Sequence, residues 1–321
     1  MKSIAFFNNK GGVGKTSLIY HLAWMYADLG RRVLLADLDP QSNLTAMCFN
    51  DEAIERIYEP DRTDTVYTAV EPVKRGIGDL RLFDPLAVTA GVAIVPGDLM
   101  LSNYEDDLSA AWPRCLDGDE RAFRITSAFH RIIEDSAMRY GADLALIDTG
   151  PSFGALSRAA LIAADFVVTP VTPDLFSFRG LLNVGQRLRS WREEWRERLS
   201  SAPVLEFTPP SGAMTPIGIV VSLHSEHVGA ATRAAQKAGI DWQAVHRAFL
   251  DDPRIPDSKF SLGRIKDYRS LVAIAQEVRK PVFRLRPGDG AIGGLQGAVA
   301  AAYSDFETVA RHIAARVDLE L

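Results

Sequence analysis

The segment Asn9-Lys10-Gly11-Gly12-Val13-Gly14-Lys15-Thr16 lies between a short apolar run, Ile4 to Phe7, and a stretch whose apolar positions recur at Leu18, Leu22, Tyr26 and Leu29. The run reads as a strand, and the recurrence as an amphipathic helix with Gly30 as its stop. A glycine-rich turn that joins a strand to a helix lets successive backbone N–H groups face inward on phosphate oxygens. The helix N-terminus adds the positive end of its dipole. Lys15 is then placed to reach the outer phosphates and the Thr16 hydroxyl to ligate Mg²⁺. Asn9 stands where the general phosphate-cradle pattern has glycine, and Lys10 supplies an additional lysine.

The rest of the chain alternates strands with helices. Arg32 to Asp37 reads as a buried strand that completes a βαβ unit with a right-handed crossover, and Leu144 to Asp148 as a second buried strand ending in a carboxylate. Val92–Val95, Phe166–Thr169, Ile217–Val221 and Val282–Leu285 are further short strands; 118–140, Leu181–Leu199 and Gln296–Val317 read as helices. Residues 50–90, with Pro60, Pro72 and Pro85, read as short helices and loops, and Ser200–Pro216 as the proline-rich exit loop of a long helix. The expected fold is α/β: a mostly parallel twisted sheet with helices on both faces, a P-loop architecture in one domain, 1–321, with insertions at about 50–90 and 200–216.

Composition bounds the partners. Apolar residues make up 47% of the 321 and charged residues 24%, which suits a buried core and excludes a disordered or collagen-like chain. The net charge of −5 excludes a globally basic nucleic-acid coat but not a local basic face. Between Lys259 and Arg286 the balance is +6, which leaves −11 for the remainder. A phosphate-backbone contact patch would have that asymmetry, and so would a solvated helix face with salt bridges. Cys48 and Cys115 are far apart and neither is in a CxxC, so a disulfide framework, a zinc ribbon and an Fe–S cluster lose support and a reducing compartment fits. The N-terminal apolar run is too short for a signal peptide, and no apolar stretch reaches the roughly 18 residues needed to span a bilayer. His224 and His227 are spaced H-x-x-H without a zinc-site pattern around them and read as a surface pair. His21, near the buried face of the first helix, reads as a packed residue.

With a lysine before its first glycine, the cradle resembles the deviant Walker A motif of the ParA/MinD superfamily of ATPases. Ala36-Asp37-Leu38-Asp39-Pro40-Gln41-Ser42-Asn43 resembles that family's switch I, and Leu146-Ile147-Asp148-Thr149-Gly150-Pro151-Ser152 its Walker B and switch II. Thr169-Pro170-Val171 with Phe176 to Leu181 is similar to the strand and helix that follow, and Arg279 to Phe283 to the C-terminal strand entry. The Asp-x-Asp-Pro-Gln-x-Asn spacing points to ParA-type (Soj-like) partition ATPases.

The resemblance implies ATP and Mg²⁺ as cofactors. It assigns the nucleotide to Lys10, Gly11, Gly12, Val13, Gly14, Lys15, Thr16 and Ser17, the metal to Thr16 and Asp148 with Asp37 nearby, and the orientation of the attacking water to Asp39. Lys10 would cross to the other subunit's phosphates in an ATP-sandwich homodimer. Phosphoryl transfer fits such a set, since it needs charge neutralisation and a positioned water. Asp37, at a strand's end, can equally cap the next helix. Gly150 stands where the family commonly has proline, and Ser222 follows the strand where an asparagine often reads adenine. Ile255-Pro256-Asp257-Ser258 resembles the adenine-side segment, which makes Pro256 a candidate contact, with a plain proline turn as the other reading.

The same resemblance implies partners. ParA-type dimers bind double-stranded DNA without sequence preference through basic residues near this end, which makes Lys259, Arg264, Lys266, Arg269, Arg279 and Lys280 the candidates; a ParB-like or cargo-bound partner accelerates slow hydrolysis. A cytoplasmic, nucleoid-associated bacterial protein is expected, with no helix-turn-helix ahead of the cradle. MinD-like membrane attachment calls for a basic amphipathic C-terminal helix, whereas Ala310 to Leu321 ends acidic. Two rivals are a membrane-surface positioning ATPase and a nucleotide-gated scaffold with vestigial hydrolysis, the latter suggested by Gly150 and the proline-rich insertions.

Overall fold

Strands buried on both faces carry apolar residues at nearly every position, and the central strands here do: Val33–Leu38 and Leu144–Thr149 are buried throughout. The computed structural model describes residues 1–59, 64–172, 174–222 and 260–321. In chain order these form β1 (Lys2–Phe6), α1 (Lys15–Asp28), β2 (Val33–Leu38), α2 (Asn43–Cys48), α3 (Asp51–Ile57), α4 (Val66–Arg75), β3 (Leu86–Thr89) and β4 (Val92–Val95). A 3₁₀ turn (Leu99–Tyr104) leads into α5 (Glu105–Arg114), followed by α6 (Glu120–Thr126), α7 (Ala128–Tyr140), β5 (Leu144–Thr149), α8 (Ala155–Ile162), β6 (Phe166–Val171) and α9 (Leu175–Ser200). β7 (Thr215–Ser222), β8 (Ser261–Ile265), α10 (Arg269–Val278) and α11 (Gly294–Arg316) complete the described elements.

The strands form one sheet in the order β3-β4-β2-β5-β1-β6-β7-β8, parallel except for the β3–β4 pair. Alternate residues of each central strand point to opposite faces. Ala5, Leu34, Val95 and Ile147 belong to the core under α4 to α9; Ile4, Leu35, Ile94 and Leu146 belong to the core under α1, α10 and α11. Crossovers on both faces bring the C-terminal ends of β1, β2 and β5 to one edge, where open α/β sheets place their ligands.

The expected α/β fold is the observed one, with local differences. Val282–Leu285 is not a strand: Val282–Arg284 is a 3₁₀ turn, because Pro281 has no N–H to give and the Val282 N–H is spent on the His21 ring, 3.1 Å away. The single helix expected over 118–140 is two, broken at Ser127. The antiparallel edge strand β3 and the strand β8, with only five residues and an internal glycine, lack a periodic signal long enough to find. The proline-rich loop after α9 folds back on it: Trp195, fully buried, stacks on Trp112 at 5.7 Å and donates to the Pro210 carbonyl at 2.8 Å. Cys48 and Cys115 are free thiols. His224, His227, Pro256 and Lys259 lie outside the described residues.

Candidate functional site

The cradle is shaped by two glycines in the left-handed region, Gly12 (φ 72°) and Gly14 (φ 81°), where a Cβ would strain the backbone. Its base is fixed by Asn8, whose Nδ2 donates to the Pro170 carbonyl of β6 at 2.7 Å while its Oδ1 accepts the Lys10 N–H at 3.0 Å. Lys15 then opens α1. Above it lies a cavity of about 1100 Å³ lined by Lys10 through Leu18, with Asp39, Gln41, Asn43 and Pro151 on one side. Every predicted nucleotide contact from Lys10 to Ser17 lines this cavity.

Three carboxylates converge beneath it. Asp37 and Asp148 are register partners on β2 and β5, both fully buried. The Lys15 ammonium sits 2.9 Å from Asp148 Oδ1 and 4.0 Å from Asp39 Oδ2. Burial, then the facing Asp148, pushes Asp37 up to about 7. Burial raises Asp148 as well, against the pull of Lys15 and of the Thr16 hydroxyl. Asp39 Oδ1 accepts the Gln41 N–H at 3.0 Å, which sets the bend of the loop after β2.

Asp37 caps the next helix, one of the two readings left open by the sequence, and keeps one oxygen free of it. Its Oδ2 accepts from the backbone N–H and hydroxyl of Thr45 in the first turn of α2, at 2.8 and 2.7 Å, while its Oδ1 is buried with no hydrogen-bond partner. Asp148 Oδ2 is in the same condition. Two unpartnered buried carboxylate oxygens on register-paired residues, with the Thr16 hydroxyl acting on Asp148, are hard oxygen donors of the kind Mg²⁺ takes, so the residues fit the ion.

Lys10 points away from the carboxylates. Its amine is 2.6 Å from Asp174 Oδ2, 3.1 Å from the Thr172 hydroxyl and 3.2 Å from that of Ser177. Burial of Asp174 is outweighed by the hydrogen bonds it accepts from Lys10, the Thr172 hydroxyl and the N–H and hydroxyl of Ser177, which hold its carboxyl well below the usual range. The lysine is 42% exposed and sits at the mouth of the cradle.

The cavity continues past the cradle to Ser222, Ile265, Lys266, Tyr268, Val272, Gln276, Arg279 and Lys280. Thus Lys266, Arg279 and Lys280, which the sequence grouped as a DNA patch, stand on the rim of the nucleotide cavity. Arg279 pairs with Asp51 at 2.8 Å and Lys280 with Asp289 at 2.6 Å; Arg264 is exposed on β8 and Arg269 opens α10. Sequence reading missed Tyr268, Val272 and Gln276 as walls of the site; the amphipathic spacing of 269–278 was the available signal.

His21 ties the rim to the cradle helix. Its Nε2 accepts the Val282 N–H, so its Nδ1 carries the proton and donates to the Ser17 carbonyl at 2.6 Å. It also stacks on Phe306, with ring centroids 4.7 Å apart. Full burial drops its pKa to about 4, against 6.5 in the ordinary case. Between these values the unfolded chain holds a proton that the folded chain does not, so stability rises with pH across that window. Acidification from about pH 7 to 4 is expected to cost about 3 kcal/mol through this residue. Denaturant melts of wild type and His21→Asn should differ in slope against pH over that window; parallel profiles would rule the effect out.

The family model described as an AAA domain matches residues 1–201. The chromosome partitioning protein ParA of Caulobacter vibrioides is 30% identical over 201 residues, which cover 62% of this chain and 66% of that one. The chain spans between 41% and 66% of the length of the first curated relatives it matches. A Corynebacterium diphtheriae protein of known crystal structure superposes with a TM-score of 0.74 at 24% identity over 98% of both chains. The structure of a Cyanothece McdA complex with ATP gives 0.64 at 17% identity over 100% of this chain and 98% of that one. Identities this low establish the shared fold. With the family model covering the cradle and both carboxylate-bearing strands, the chain belongs to the AAA-domain family.

Proposed function

We propose that this chain is a ParA-type ATPase for DNA partitioning or cargo positioning. ATP·Mg²⁺ drives a sandwich homodimer, the dimer binds double-stranded DNA without sequence preference, and a ParB-like or cargo-bound partner accelerates slow hydrolysis. The observation that carries the reading is the Lys15 ammonium, held between Asp148 and Asp39 under a glycine-walled cavity. Thr16, Asp148 and Asp37 would hold Mg²⁺, which when bound neutralises phosphate charge and orients the triphosphate. Asp39 orients the attacking water, Lys15 neutralises the outer phosphates, and Lys10 leaves Asp174 to reach the partner subunit's phosphates. Among the described residues no helix is long and apolar enough to cross a membrane.

The DNA contact is assigned to Lys259, Arg264, Lys266, Arg269, Arg279 and Lys280, with nucleoid association as its consequence. The pairs Arg279–Asp51 and Lys280–Asp289 lie at the solvent-facing surface, where such pairs are weak, so phosphate oxygens can displace the carboxylates. Placement of three of these cations on the cavity rim supports a DNA affinity that depends on the bound nucleotide.

Asp39→Ala tests the dimer. The variant is expected to lose roughly 10²-fold or more in turnover and to accumulate as a stable dimer in ATP·Mg²⁺, read by sedimentation equilibrium. A variant that stays monomeric with ATP contradicts the proposal.

A further inference from the structure

Switch II leaves the sheet at Thr149 and enters α8 at Ala155, and α8 has no cap of its own, because its N-cap residue is Gly154. Glu105, the first residue of α5, supplies one from a distant part of the chain. Its two carboxylate oxygens accept the Ala155 N–H at 2.5 Å and the Leu156 N–H at 2.7 Å, the free donors of the helix's first turn. A Cβ on Gly154 would lie 2.6 Å from Glu105 Oε1, so the glycine is what this approach requires. The grip extends inward through Ser157, whose hydroxyl donates to the Gly150 carbonyl at 3.3 Å.

The segment that carries Glu105 begins on switch I. A Cβ on Gly97 would lie 2.8 Å from Asp37 Cγ and from the Ser42 hydroxyl, and the Gly97 N–H donates at 2.8 Å to the same Thr45 hydroxyl that donates to Asp37. Between these ends the segment is braced. Asp98 accepts from the Thr65 hydroxyl at the start of α4 at 2.7 Å and from the Met100 N–H at 2.8 Å, and the fully buried Tyr104 donates to the Ile125 carbonyl at 3.0 Å. None of residues 97–105 lines the nucleotide cavity, yet the segment touches the loop or helix behind each catalytic carboxylate.

We propose that Glu105 is a positioning residue for ATP hydrolysis: from outside the cavity it fixes the exit of switch II and, through the Gly97–Glu105 segment, holds it in register with Asp37 and Asp39. The inference rests on the ATPase reading above. It also gives Gly150 a context: where backbone rigidity is not built into switch II, the restraint is applied from α5. It assigns work to the 50–90 insertion as well, since the N-cap of α4 braces Asp98.

The test compares Glu105→Gln, Glu105→Ala and the control Asp106→Asn, which makes the same charge change on the adjacent exposed residue. Glu105→Gln is expected to lower kcat about tenfold and Glu105→Ala further, with the KM for ATP and the affinity for ADP within about twofold of wild type. Amide exchange over residues 150–156 should accelerate about tenfold while the sheet core stays protected. Asp106→Asn should match wild type throughout. Unchanged kcat in both Glu105 variants overturns the inference, and so does exchange that accelerates across the whole chain together with a fall in melting temperature. Wild-type protein without turnover would remove the ATPase reading; wild-type turnover retained by the Glu105 variants removes this inference alone.

Discussion

Lys15→Ala is expected to abolish measurable ATP turnover, a loss of at least roughly 10³-fold, and to weaken nucleotide binding with it. The ammonium pairs with two of the three carboxylates, at 2.9 Å from Asp148 and 4.0 Å from Asp39. Without it, the phosphates would face Asp39 and Asp148 with no cation between them, since the other lysines and the arginine of the cavity stand at its mouth and rim. Loss of a single preorganised donor to developing charge already costs roughly 10²–10³. The substitution also acts on the fold. Asp148 is fully buried with Oδ2 unpartnered, and losing Lys15 strips Oδ1 of its partner too. Breaking such a buried pair costs about 3–5 kcal/mol, moderated here because a carboxyl already raised by burial takes up a proton. The penalty is full at neutral pH and shrinks as pH falls towards about 4, where the unfolded-state carboxyl is protonated as well. Thermal melts at pH 7 and pH 5 should therefore converge on wild type at the lower value. A deficit that does not change with pH would show that Lys15 acts on the fold only through packing.

Lys10→Ala should separate binding from chemistry. Its amine lies on Asp174, Thr172 and Ser177 at the cavity mouth, away from the carboxylates, so removal should leave ADP affinity within a factor of a few. Its effect on the fold should be small, since a pair with lysine 42% exposed and aspartate 36% exposed contributes about 0–1 kcal/mol and Asp174 keeps its cap on the Ser177 N–H. Turnover, in contrast, should fall by roughly 10³ or more, the scale of a cation supplied in trans to a transferring phosphoryl group. Unchanged turnover would remove the in-trans role and leave Lys10 as a surface lysine paired with Asp174.

The cradle and its carboxylates were legible because their chemistry is local. Glycine, lysine and threonine at fixed spacing between a strand and a helix determine where backbone N–H groups point, and a buried parallel strand can only present a carboxylate at its end. Asp37, Asp39 and Asp148 meet because β2 and β5 are neighbours, a pairing that alternating strands and helices already favour. What the sequence hid is long-range. Glu105 caps a helix 50 residues away, and nothing in the spacing of Glu105-Asp106-Asp107 distinguishes it from a solvated helix start. The 282–285 run has the composition of a strand but loses its ladder donor to His21, a contact between positions 261 apart. The +6 stretch is continuous in sequence, but in space part of it is the wall of a nucleotide cavity, because β8 and α10 end beside the cradle.

The claim that nucleotide state switches this protein on and off DNA is tested most directly by co-sedimentation with one non-specific duplex in ATP·Mg²⁺, ADP·Mg²⁺ and no nucleotide, at two salt concentrations. Binding is expected in ATP·Mg²⁺ alone, weakened at the higher salt as counterion release requires. Equal binding in all three states, or none in any, would contradict it.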